Sequence, residues 1–221
     1  MNDKIILMTK EILRCDYLPV YGNTYWKTPN LDALAARGTV FRSHYTNAPS
    51  TAMAVTCLFS GLEAHELARR YYSEVEVFDQ APTVFTLLQE RGYATHVLWT
   101  EGEHRATYPY SKCYGEGTRF HKVKSSPEDF AAALESISEN LFFLWIHMPT
   151  VLGDRPSLGS DIDLFDDFVG KVMRAFPGAD LYVSADHGHM NLEKGIPVYG
   201  FHVYEGRSEE RRVGKECRSR W

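Results

Sequence analysis

Short apolar runs rich in β-branched residues alternate along this chain with stretches whose apolar residues recur every three or four positions. Lys4 to Thr9 (KIILMT) is the first run, and its unbroken apolar character predicts a strand covered on both faces of a sheet. Thr28-Pro29-Asn30 then opens a helix-period stripe through Leu31, Leu34 and Ala35 that stops at Gly38, and Thr39 to Ser43 predicts a second strand. Ser50 or Thr51 precedes a helical run from Ala52 to Phe59, ended by Gly61. Pro82 to Arg91 is amphipathic through Val84, Leu87 and Leu88, stops at Gly92 and leads into a strand over Ala94 to Trp99. A polar loop rich in Gly and Tyr follows from Thr100 to Lys124. Pro127 to Ile137 predicts a helix, Leu141 to His147 a buried strand, and Asp161 to Phe176 a long amphipathic helix. Leu181 to Ser184 predicts another buried strand, running into Asp186-His187-Gly188.

Alternation of strands and helices predicts a three-layer α/β/α sandwich with a mainly parallel sheet. In such sheets ligands bind beyond the carboxyl ends of the strands. Glu11, the Ser50/Thr51 turn, His147 and Asp186/His187 each follow a predicted strand at that end. A hydroxyl residue at a helix start also sits where free backbone N–H groups and the helix dipole favour an anion.

Composition narrows the function classes. With 221 residues, 44% of them hydrophobic, the chain can bury one sizeable core without disulfide staples. Its net charge of -5, with no basic stripe, gives nucleic acid no docking face. The longest apolar run, Leu141 to Met148, is far short of a membrane span, and Met1-Asn2-Asp3-Lys4 opens no signal peptide, so the expectation is a cytoplasmic protein without a membrane segment. Cys15, Cys57, Cys113 and Cys217 form no CxxC pair and no zinc-module spacing, which reads as reduced thiols. The final segment, 207–221 (RSEERRVGKECRSRW), has no apolar periodicity and resembles the translation of a short-read sequencing adapter. The expected organisation is therefore one catalytic domain over 1–206, incomplete at its C-terminus, and a disordered non-native tail over 207–221.

The carboxylates of Glu11 and Asp186, the imidazole of His187 and the hydroxyl of Thr51 make a mixed oxygen and nitrogen set suited to a divalent ion, Zn or Mn first and Ca or Mg as alternatives. Such an ion also activates a threonine hydroxyl, a poor nucleophile on its own. Each residue has a plainer reading: Thr51 as a helix cap worth about 0.5–2 kcal/mol, Glu11 as a helix-start carboxylate, His147 as a hydrogen-bonded core histidine. Asp166 and Asp167 read as the solvated face of a helix, Arg14 and Asp16 as a local ion pair, and Cys57 as a small buried apolar residue.

The stretch from Thr28 to Gly61 (TPNLDALAARGTVFRSHYTNAPSTAMAVTCLFSG) resembles the opening of the sulfatase family in the alkaline phosphatase superfamily, and Pro82 to Trp99, Phe142 to His147 and Ser184 to Gly188 match its later motifs. Where sulfatases carry a cysteine or serine converted to formylglycine, followed by proline and arginine, this chain has Thr51, Met53 and Val55. Lys10 to Asp16 and Ser50 to Ser60 are instead similar to phosphoethanolamine transferases and lipoteichoic acid synthases. That resemblance implies a metal held by Glu11, Thr51, Asp186 and His187, with Thr51 as nucleophile, and His147 as a substrate contact or proton donor. The family's further histidines fall at Leu152 and Tyr199. The implied activity is metal-dependent hydrolysis or transfer of a small-molecule phosphoester through a phosphothreonine. Sulfate ester hydrolysis and an inactive, truncated fold are the alternatives.

Overall fold

The computed structural model describes residues 3–67, 82–100, 113–123, 126–149 and 158–188. The 207–221 tail and positions 152 and 199 lie outside the described residues.

Five strands, β1 (Lys4–Lys10), β2 (Ala94–Thr100), β3 (Arg119–Val123), β4 (Phe142–Met148) and β5 (Asp180–Ala185), form one parallel sheet in the order β3-β2-β4-β1-β5. The connections from β1 to β2, from β3 to β4 and from β4 to β5 carry helices that lie on the faces of the sheet, as parallel pairing requires. Helices α1 (Pro29–Arg37), α5 (Pro127–Glu135) and α6 (Leu158–Ala175) cover one face, where Ile6, Met8, Leu144, Ile146, Phe165 and Phe168 are buried. Helices α2 (Thr51–Ser60) and α4 (Val84–Gln89) cover the other, packing Val55, Phe59 and Phe85 against Phe143 and Trp145. A short α3 (Ala64–Leu67) follows α2. The three-layer sandwich is as expected, and β4 is buried at all seven positions.

Two expectations fail locally. Residues 39–43 pair with no strand: Phe41 is 65% exposed, and its carbonyl accepts from the Tyr21 hydroxyl. A β-prone run becomes a strand only where its backbone pairs with a sheet edge, and this run does not pair with β5, whose outer side has no strand partner among the described residues. Conversely, the region read as loop contains β3, whose burial pattern is mostly exposed. An edge strand has one partner and carries too few apolar residues to announce itself.

Asp166 is neither solvated nor a metal ligand. Its buried carboxylate, on α6, accepts from Leu31 N at 2.8 Å, Asn30 N at 3.1 Å and Asn30 Nδ2 at 2.9 Å, and so caps the N-terminus of α1 from a neighbouring helix. Gly170, one turn later, leaves room for Asn30, whose amide oxygen would meet a Cβ there at 2.5 Å. Asp167, by contrast, does face solvent and pairs with Lys171. Asp166→Asn presents an amide NH₂ to donors that need an acceptor, and we expect it to cost about 1–3 kcal/mol, read as a lower urea midpoint at unchanged slope.

At the amino end of the sheet, His96 is 1% exposed, stacks on His121 and meets its Nε2 at 2.9 Å, while Glu139, held by Arg119, lies 3.4 Å from its other nitrogen. Burial first, then the neighbouring His121 and Arg119, hold His96 down at about 4. The unfolded histidine, near 6.5, takes up its proton before the folded one does. Stability is therefore full above about pH 6.5 and lost as pH falls toward about 4, by on the order of 3 kcal/mol. His96→Gln should flatten this part of a denaturation-against-pH curve.

Candidate metal and nucleophile site

Strand register decides which side chains meet. Thr9 lies opposite His147 on β4 and Ser184 on β5, so Thr9, His147 and Ser184 point to one face. Two residues further on, Glu11 and Asp186 leave the strand ends on that same face, where α2 begins. Glu11 N still donates to Met148 O at 2.9 Å, and Asp186 N to Lys10 O at 3.4 Å, so the ladder extends to the site itself.

Thr51 is the first residue of α2, and Ser50, the residue before the helix, makes no side-chain cap hydrogen bond. The Thr51 hydroxyl makes none either. Its Oγ1 donates to Glu11 Oε1 at 3.4 Å and meets His187 Nε2 at 3.2 Å. The capping explanation of this threonine is thus set aside by geometry.

His187 Nδ1 lies 2.7 Å from Gly188 O, an acceptor only, so the ring proton sits on Nδ1 and the Nε2 lone pair faces Thr51. The same Nε2 is 3.6 Å from Asp186 Oδ2. Asp186 Oδ1 accepts from His187 N at 2.7 Å and Ile12 N at 3.3 Å, whereas its buried Oδ2 has no hydrogen-bond partner among the described residues. A lone pair facing an unsatisfied carboxylate oxygen inside a protein is stable only if a cation or proton lies between them.

Ligand-to-ligand edges in a tetrahedral site with bonds of about 2.0–2.2 Å are roughly 3.3–3.6 Å. The observed 3.4 and 3.6 Å separations fall there, and the 3.2 Å one lies just below. The residues therefore fit a divalent ion. Among the described residues no three His, Cys, Asp or Glu side chains form a ready-made cage by themselves; the threonine hydroxyl is the link between Glu11 and His187.

The backbone at Ile12 has φ 62°, the left-handed region, where a β-branched residue is strained by about 1–3 kcal/mol. That turn ends β1 abruptly and aims the Ile12 N–H at Asp186. Nothing in the local sequence signals it.

His147 is buried at the same end of the sheet. Burial pushes its pKa below the ordinary histidine value, outweighing the upward pull of Asp186 and Glu11, so the ring is neutral near pH 7. Its Nε2 has no partner among the described residues.

Two neighbours were missed in the sequence. Lys10 is 1% exposed and reaches Asp161 on α6 at 2.9 Å and Glu11 O at 3.1 Å; a lysine closing an otherwise apolar strand was the available signal. Thr9 passed as strand filler. As expected, Arg14 and Asp16 form a two-pronged ion pair, at 2.9 and 2.8 Å, and Cys57 is buried, its thiol raised to about 11.

The model of the Sulfatase family matches residues 3–133, more than half of the chain. An arylsulfatase from Clostridium perfringens is 29% identical over 98 residues, 44% of this chain and 20% of its own length, so the chain spans about a fifth of that curated relative. The phosphonate monoester hydrolase of Agrobacterium radiobacter has a similar fold, with a TM-score of 0.69 at 12% identity over 92% of this chain and 66% of the other. The C-terminal periplasmic domain of a phosphoethanolamine transferase from Campylobacter jejuni gives 0.67 at 14% identity over 95% of this chain and 77% of the other. The family match over more than half of the chain decides it: the chain belongs to the Sulfatase family.

Proposed function

We propose that this chain carries the catalytic end of a metal-dependent hydrolase or transferase of phosphoesters, with Thr51 as nucleophile. The observation that carries the reading is the engagement of the Thr51 hydroxyl by Glu11 and His187 in place of a helix cap. Glu11, Thr51, Asp186 and His187 would hold the ion, with Zn or Mn best suited to this donor set. When bound, the ion supplies charge neutralisation at a phosphoryl oxygen and lowers the pKa of the hydroxyl.

The chain's own residues do the rest. The Thr51 hydroxyl gives its proton toward Glu11 Oε1, along the hydrogen bond already present. Oγ1 attacks phosphorus in line, the bond to the leaving oxygen breaks, and that oxygen leaves with the bonding pair and takes a proton from water. Water or an alcohol then attacks phosphorus, the P–Oγ1 bond breaks, Oγ1 takes its proton back from Glu11, and the attacking oxygen releases its own proton to solvent. A neutral His147 would donate a hydrogen bond to a substrate oxygen, the first of the two roles that the resemblance implies.

Sulfate ester hydrolysis is the second reading, favoured by the family match and by the arylsulfatase relative. Nitrophenol release from phosphate monoester, phosphate diester and sulfate ester, after loading with Zn or Mn and again after chelation, separates them. Chelator-sensitive phosphoester turnover is expected; faster sulfate turnover would replace the first reading by the second.

A further inference from the structure

His147 Nδ1 lies 2.9 Å from Thr9 Oγ1, and the indole Nε1 of Trp145 lies 3.0 Å from the same oxygen. All three side chains are buried, and the Trp145 ring stacks on the imidazole at 5.3 Å and 24°. An indole nitrogen can only donate, so Thr9 Oγ1 accepts from Trp145 and has one proton of its own to give. Its two possible acceptors are His147 Nδ1 at 2.9 Å and the Ile146 carbonyl at 3.5 Å, and the shorter contact takes it. His147 Nδ1 is then an acceptor, and the ring proton is on Nε2. That nitrogen is the one without a partner among the described residues, at the sheet end that carries Glu11 and Asp186.

We propose that Trp145 and Thr9 are positioning residues: the relay Trp145 Nε1–H to Thr9 Oγ1–H to His147 Nδ1 locks His147 as an Nε2–H donor aimed at the substrate. The relay settles an ambiguity that an isolated imidazole has, since a histidine of the other tautomer presents a lone pair to a phosphoryl or sulfuryl oxygen and repels it. It rests on the phosphoester reading for the identity of the oxygen received, but not for the tautomer. The Thr9 hydroxyl meets the imidazole directly, so its effect passes through the orientation of that ring, whereas Trp145 also packs on Phe59.

The test uses the full chain with ¹⁵N-labelled histidine, the His147 signals being assigned by their loss in His147→Gln. The wild type should show a neutral ring protonated at Nε2, with Nδ1 accepting a hydrogen bond. Thr9→Val keeps the shape and removes the hydroxyl; its spectrum should move to mixed tautomers, and kcat should fall about 10- to 100-fold with KM nearly unchanged. Thr9→Ser should restore both. Trp145→Phe keeps the stacking, removes the indole donor and should fall between. A wild-type ring protonated at Nδ1, a Thr9→Val spectrum identical to wild type, or unchanged kcat in Thr9→Val would each overturn the relay. An absence of ester turnover in the wild type would count against the phosphoester reading alone, and the tautomer would still be decided by the spectrum.

Discussion

Thr51→Ala is expected to lower turnover of a phosphate ester by at least about 10³-fold while leaving the fold intact. The hydroxyl is the atom that attacks in the proposed reaction, and nothing else within its reach replaces it: its contacts are a carboxylate, Glu11, and an imidazole, His187. The loss should be in kcat, because the remaining site still binds the ester. Stability should change little, since the hydroxyl makes no capping bond and alanine suits the first turn of a helix. Thr51→Ser keeps the nucleophile and should retain much of the rate. A phosphoryl adduct on the Thr51 peptide, trapped by acid quench and read by mass spectrometry, would identify the covalent intermediate; equal turnover in Thr51→Ala would exclude this threonine as nucleophile.

Asp161→Ala should destabilise the fold by about 3–5 kcal/mol, the largest effect expected of any single substitution outside the apolar core. Lys10 and Asp161 are 2% and 9% exposed at the side chain and lie 2.9 Å apart, tying the end of β1 to α6. Removing the carboxylate leaves the ammonium buried, whereas removing both charges does not. Lys10→Met with Asp161→Leu should therefore recover most of the loss, as read by urea midpoints. Because Lys10 precedes Glu11 and donates to its carbonyl, the single variant should also weaken metal retention, and the double variant should restore stability more fully than activity. Equal stability of Asp161→Ala and the wild type would show the pair to be solvated.

Much of the architecture could be read from the chain because burial on both faces leaves a plain record. β4 is an almost wholly apolar run and β1 has an apolar centre from Ile5 to Met8, α2 ends at Gly61 with φ 69°, and the stripe of α6 repeats every three to four residues. Glu11, His147, Asp186 and His187 were legible for the same reason, since they stand where apolar strands stop and a parallel sheet gathers such stops at one end; Thr51 begins a helix and follows no strand of the sheet. Pairing partners were not legible. Residues 39–43 have strand composition but pair with no strand, while β3 has little strand composition and pairs with β2.

What the sequence by itself determined is the layer order of strands and helices and the residue types at the strand ends, because both follow from local periodicity. The tertiary structure alone decided what those residues do to one another. It took the Thr51 hydroxyl out of capping, placed Asp166 under α1, strained Ile12 so that its N–H meets Asp186, and put the proton of His147 on Nε2 through Thr9 and Trp145. Each of these depends on an atom more than twenty residues away in the chain, and a side chain's role in a buried polar network is set by its partners in space.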